Sequence, residues 1–173
     1  LGYNKLNEKN NAELYYQKAL KVRPDSKNAL HSLAILYDEI KDWNKSDSIY
    51  VKLIGIDDKD AQAFNNYAYS LVERNLSLPK ALEMAKKAID IEPDNASYLD
   101  TIGWIYFKMD KLGKAKKFIE LSIGINSENA TVLEHLGDIL MRIDQAENAL
   151  ELYKKALLLD KDNIRLKQKV DPD

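Results

Sequence analysis

A stretch of 34 residues that recurs along the chain limits what it can fold into more than any other feature. Shifted forward by 34, Ala96 to Asn129 overlays Ala130 to Asn163. Leu99 falls on Leu133, Ile102 on Leu136, Gly103 on Gly137 and Ala115 on Ala149. Within each stretch, apolar or small residues recur three and four apart in two runs joined by a short polar turn. That spacing predicts two helices, each with one buried face. A unit of two short helices cannot bury its apolar faces alone. The pattern therefore predicts neighbouring units that stack and share a core.

Followed along the chain, the register divides it into 1–26, 27–60, 61–95, 96–129, 130–163 and 164–173. Asn11 to Arg23 reads as the second helix of a partial unit, with Ala12, Tyr16, Ala19 and Leu20 on one face and Pro24 as the stop. Leu1 to Leu6 is expected to be the tail of that unit's first helix. In the first whole unit, Leu30, Leu33, Ala34 and Tyr37 face inward from one helix, and Ser46, Tyr50 and Leu53 from the other. In the next, Phe64, Tyr67, Ala68 and Leu71 pair with Ala81, Ala85 and Ala88. That unit is one residue longer, and the extra residue belongs in the turn Asn75 to Pro79. Pro79 suits the first turn of a helix, where its missing N–H costs nothing. Loops absorb such length cheaply. Ser127 and Lys161 stand where Pro24 and Pro93 stand in other copies. Ile164 to Val170 is expected to open one more helix, as a cap or as the start of a further repeat, and Asp171 to Asp173 reads as loop. Ala34, Ala68, Gly103 and Gly137 share one position, and Ala12, Ser46, Ala81, Ala115 and Ala149 share another. Small side chains there let facing helices approach closely.

Composition narrows the function. Lys and Arg total 26 against 28 Asp and Glu, a net charge of −2, with neither the basic excess nor the basic stripe of a nucleic-acid binder. No apolar run is long enough to span a bilayer. Cysteine is absent, which removes disulfides, thiolate nucleophiles and Cys-based metal sites. His31 and His135 lie three units apart and would not meet in an elongated stack. There is no Gly-x-Ser-x-Gly elbow and no phosphate-cradling glycine loop. Asp100 and Glu134 on adjacent helices could in principle act as an acid/base pair, but lining a groove is the simpler reading. The expectation is a chain that is not an enzyme and holds no cofactor or metal. Lys86, Lys87, Lys114 to Lys117, Lys154 and Lys155 read as solvated faces of second helices. The chain opens on Leu1 rather than Met and inside a repeat, so it reads as part of a longer protein, and the lack of a targeting signal carries little weight.

With small residues, aromatic residues and occasional Pro at fixed offsets, the chain resembles a tetratricopeptide repeat protein over its whole length. The run Asn65 to Leu71 followed by Leu99 to Tyr106 is similar to a subgroup found in bacterial envelope-associated repeat proteins. The resemblance implies an all-α solenoid, a right-handed superhelix of stacked antiparallel helix pairs. First helices would line its concave face and second helices its convex face. It implies a scaffold that holds a peptide or partner protein in the concave groove. The source would be bacterial and the compartment the periplasm or envelope, with the cytoplasm as the alternative.

On that resemblance the groove is lined by first-helix residues pointing away from the repeat core. They include Asn28, His31, Ile35, Asp38, Asn65, Asn66, Tyr69, Asp100, Trp104, Glu134 and Asp138. Tyr69 and Trp104 share one repeat position and could flank an apolar anchor of a peptide; burial against neighbouring helices is the competing reading. Asn65 and Asn66 could clamp a peptide backbone, since an amide both donates and accepts. Trp43, in a turn, reads as packing area. The carboxylate clamp that one subgroup uses for chaperone tails is not formed, because His31, Asn65, Asp100 and Glu134 stand where its first Lys would be. The expected binding residues are thus Asn65, Asn66, Tyr69, Asp100, Trp104, Glu134 and Asp138, and the expected ligand is an extended peptide or protein, neutral or basic. Two alternatives stay open: a self-assembly module forming homo-oligomers through its terminal helices, and a regulatory part of a larger protein.

Overall fold

The computed structural model describes the backbone of residues 2–171 and the side chains of residues 8–171. Among them are ten helices and no strand: α1 (Gly2–Val22), α2 (Lys27–Glu39), α3 (Trp43–Ile56), α4 (Ala61–Glu73), α5 (Leu78–Ile91), α6 (Ala96–Lys108), α7 (Leu112–Ile125), α8 (Ala130–Arg142), α9 (Ala146–Leu159) and α10 (Ile164–Val170). The fold is an all-α solenoid. Each helix packs on the next in sequence, and α2–α3, α4–α5, α6–α7 and α8–α9 form the closest pairs. First helices also touch one another: α2 packs on α4, α4 on α6 and α6 on α8. No pair of consecutive second helices packs to the same extent. The first helices therefore form the inner, more crowded layer.

The helix boundaries follow from local chemistry repeated in register. Asp60, Asn95, Asn129 and Asn163 cap α4, α6, α8 and α10, their side-chain oxygens accepting from backbone N–H groups of the first turn. At the corner inside each pair, Lys41, Asn75, Asp110 and Asp144 take positive φ between 52 and 61°. The N–H one residue later (Asp42, Leu76, Lys111, Gln145) donates to a carbonyl in the last turn of the first helix. This is the Schellman closure, here made without glycine. α7 and α9 end at the same register as α1 and α5 although Ser127 and Lys161 replace proline. The closing bonds and the next unit's cap suffice to stop them.

The expected core residues of α2 to α9 are all buried, with Ala34, Leu53, Ala68, Ala81, Ala85, Ala88, Ala115, Ile119 and Ala149 fully enclosed, whereas Ala12, Tyr16, Ala19 and Leu20 on α1 are only half-buried. Ser46 is enclosed as well, its hydroxyl donating to the Trp43 carbonyl at 3.2 Å. A Cβ on Gly103 would lie 2.7 Å from Ile119 Cδ1 and 3.2 Å from its backbone nitrogen. One on Gly137 would fall into the Tyr153 ring. These two glycines set the α6–α7 and α8–α9 separations.

One expectation is corrected. Asn7 stands in register with the left-handed corners Lys41, Asn75, Asp110 and Asp144, yet α1 runs through it as a single helix. Leu1 to Leu6 were read as the tail of a separate first helix. Continuing the helix through Asn7 satisfies the backbone N–H and C=O groups locally. Leu1 and residues 172–173 lie outside the described residues.

Gly103→Leu is expected to destabilise the protein by about 1–3 kcal/mol through overpacking. Gly124→Ala, with open space where the Cβ would go, should stabilise it by about 0.5–1 kcal/mol through helix propensity. Thermal unfolding followed by circular dichroism checks both signs.

The groove of the first helices as candidate functional site

The fifth residue of each first helix decides much of the groove. These are His31, Asn65, Asp100 and Glu134, and all four are buried. Three of them reach across to the next first helix or its cap. His31 Nε2 donates to Asp60 Oδ2 at 3.0 Å, and His135 Nδ1 to Asp100 Oδ1 at 2.8 Å. Glu134 accepts from Lys169 on α10 at 2.8 Å and lies 3.6 Å from Arg165. Asn65 departs from the series. Its Nδ2 makes one long bond of 3.4 Å to Asn66, and its Oδ1 has no partner.

These contacts correct the picture of residues pointing freely into the groove. Asn65, Asp100, Trp104 and Glu134 lie between first helices. Trp104 is 8% exposed, with His135 stacked on it at a centroid distance of 4.0 Å and Phe107 beside it at 4.8 Å. Its Nε1 donates to Glu73 at 2.9 Å. Asp138 accepts from Tyr153 at 2.8 Å and Lys169 at 2.5 Å. Asp100 and Glu134 are each engaged elsewhere and form no acid/base pair. The acidic bias in the sequence is in large part structural: these carboxylates accept hydrogen bonds from His135 and Lys169 of the following unit and from Tyr153 of the same one. Asn66 and Tyr69 keep free surface, Tyr69 at 37% exposure.

Two concavities meet at Tyr69 and Glu73. One, of about 340 Å³, is lined among others by Trp104, Glu134, Asp138, Arg165 and Lys169, with charges of both signs. The other, of about 370 Å³, lies between α2 and α4 and is bounded by Ile35, Trp43 and Tyr69. Trp43 thus does more than the packing expected of it. The Arg74 guanidinium stacks over its ring at 5.1 Å, and Arg74 is held by Asp47 through bonds of 2.6 and 3.2 Å. Lys169 and Arg165 were not anticipated as groove residues. Extending the repeat register past Asn163 would have placed Lys169 in line with Asn66, Thr101 and His135. Burial, reinforced by the Glu73 and Asp100 carboxylates, pushes the Tyr69 hydroxyl up to about 12. At Asp60, burial acts to raise the carboxyl, but the Ala63 N–H, His31 and Lys27 outweigh it and hold it below the usual carboxylate range.

The tetratricopeptide repeat family model matches residues 3–26, 96–129 and 130–163, more than half of the chain. The chain belongs to the tetratricopeptide repeat family. It is 28% identical over 103 residues to a TPR repeat-containing protein of Pseudomonas aeruginosa, covering 60% of this chain and 18% of that protein. It is 25% identical over 121 residues to the type IV pilus assembly protein PilF of the same organism, covering 68% of this chain and 47% of PilF. The chain therefore spans less than a fifth of the first relative and about half of the second. The solved PilF structure superposes with a TM-score of 0.77 at 23% identity, over 98% of this chain and 77% of that one. A thermophilic TPR protein of Thermus thermophilus gives 0.83 at 18% identity, over 98% and 92%. At such identities the superpositions speak for the fold. Members of this family bind proteins or peptides, so in general terms the tetratricopeptide repeat chain is an interaction scaffold. No helix among the described residues is long and apolar enough to cross a membrane.

Asp60→Ala is expected to cost about 1–2 kcal/mol, as it removes a helix cap and strands His31. Asp60→Asn keeps an acceptor for the cap and should cost less. Because the fold lowers the Asp60 pKa, its charge-dependent stabilisation is complete above the ordinary carboxylate value and is lost as pH falls through the folded one. The stability gap between wild type and Asp60→Asn should therefore shrink from pH 6 to pH 3. Urea unfolding at each pH measures it.

Proposed function

We propose that this chain is a non-catalytic scaffold that holds an extended peptide or partner protein, neutral or basic, in the groove of its first helices. The observation that carries this reading is the inner layer itself. First helices packed side by side leave two concavities that join at Tyr69 and Glu73. Asn65, Asn66, Tyr69, Asp100, Trp104, Glu134 and Asp138 line or underlie that surface. Asn66 offers its amide to a peptide backbone from the surface, and Asn65, buried beside it, acts through the 3.4 Å bond of its Nδ2 to Asn66. His31 and His135 are each tied to a separate carboxylate, which supports a binding role over chemistry. The bacterial relatives, PilF among them, support a bacterial source, and the compartment proposed is the envelope or periplasm, with the cytoplasm as the alternative.

A second reading, self-assembly, has its own support. Val22, Ile56, Ile91, Ile125 and Leu159 are the last residues of α1, α3, α5, α7 and α9, and all are exposed. This row of aliphatic side chains along one edge could join copies. A sedimentation series over a hundredfold concentration range should show a constant monomer if the groove reading alone holds; a mass that rises with concentration supports self-assembly.

Titration with end-blocked acidic, neutral and basic peptide pools, followed by amide NMR, tests the groove. Shifts should cluster on α2, α4, α6 and α8 and favour the basic and neutral pools. Preference for acidic peptides, or shifts confined to second helices, would overturn the proposal.

A further inference from the structure

We infer that the concavity between α2 and α4 is the anchor subsite, and that it takes a branched apolar side chain of an extended peptide with Lys or Arg directly beside it. The inference rests on the groove-binding reading above and gives it a location and a ligand chemistry.

The ninth residue of successive first helices is Ile35, Tyr69, Trp104 and Asp138. A ligand side chain needs two neighbouring members of that row to be both apolar and open. Tyr69 with Trp104 fails on the second count, because His135 covers the indole. Trp104 with Asp138 fails on the first. Ile35 with Tyr69 meets both, at 40% and 37% exposure. Between them the protein leaves about 370 Å³, walled by Trp43. That is enough for a leucine-sized side chain, and apolar area brought out of water there is the main source of affinity.

The charge around this subsite is one-sided. The ionisable carboxyls among its lining residues are Asp38, Glu39 and Glu73, and no Lys or Arg among the described residues lines it. Asp38 is turned onto the floor, accepting from Tyr50 at 2.7 Å and Ser70 at 2.9 Å. Glu39 is shared with Lys9 at 3.0 Å. Glu73 is fixed through one oxygen by the Trp104 indole, which leaves the other oxygen at the rim. The nearby Arg74 is committed to Asp47. A ligand cation next to the apolar anchor would meet Glu73 directly, and a carboxylate there would be repelled.

The test uses three end-blocked nonapeptides in a Gly/Ser background, with Leu-Lys, Leu-Glu or Ser-Lys at the centre, titrated into the 173-residue chain. Leu-Lys should bind about tenfold tighter than Ser-Lys and a few fold tighter than Leu-Glu, and should shift the Trp43 indole N–H. Ile35→Ser should erase the Leu-Lys advantage over Ser-Lys. Glu73→Lys should reverse the order of Leu-Lys and Leu-Glu. Both positions are exposed, and unchanged melting curves confirm that the variants fold. Binding that leaves Trp43 unmoved, ignores Ile35→Ser and maps to α6 and α8 would overturn this subsite while leaving the groove reading intact. Absence of any first-helix shift with all three peptides would overturn both.

Discussion

Everything in this fold depends on how closely two helices of one pair can approach. Ala34, Ala68, Gly103 and Gly137 sit where the pairs cross, and they meet side chains on the facing helix, Ile119 and Tyr153 for the two glycines. With no bulk at that point, the larger side chains above and below interlock, and the core runs from pair to pair without a gap. Dispersion and apolar burial fall off steeply once such contacts open by a fraction of an ångström. Close crossings are thus what allows a chain with helices of about a dozen residues to build a continuous core.

The same crowding shapes the groove. First helices touch their neighbours, so polar side chains on their flanks are pressed into the seam between units. A buried charge there needs a partner. The following first helix or its cap supplies one in three of four cases: Asp60 for His31, His135 for Asp100, and Lys169 with Arg165 for Glu134. These contacts fix the orientation of one repeat on the next. They also consume much of the polar surface that a ligand would otherwise use, and leave open the place where the seam is apolar, around Ile35 and Tyr69.

The core was legible because it depends on period alone. Residues three and four apart face one way on a helix, and every inward residue read from that rule on α2 to α9 is buried, while those on the terminal α1 are half-buried. Boundaries were legible from Pro24 and Pro93 and could also have been read from Ser26, Asp60, Asn95, Asn129 and Asn163, which precede each first helix. The groove was only half legible. Period tells which side of a first helix faces away from its own partner, but not whether the neighbouring unit covers it. Trp104 and Tyr69 occupy the same register, and only the residue that follows in the next helix separates them: His135 stacks on the indole, while the phenol keeps more than a third of its surface. The reading of Leu1 to Leu6 as the tail of a separate helix does not hold, because the backbone of α1 runs from Gly2 without a corner.

Stability built from neighbour contacts should be uneven along the chain, because terminal units have one neighbour and central units two. Native-state hydrogen exchange, resolved by residue, measures this directly. Amides of α4 to α7 should be the most protected, with protection falling towards α1 at one end and α10 at the other. Equal protection from α1 to α10, or the strongest protection in the terminal helices, would contradict a structure held together pair by pair.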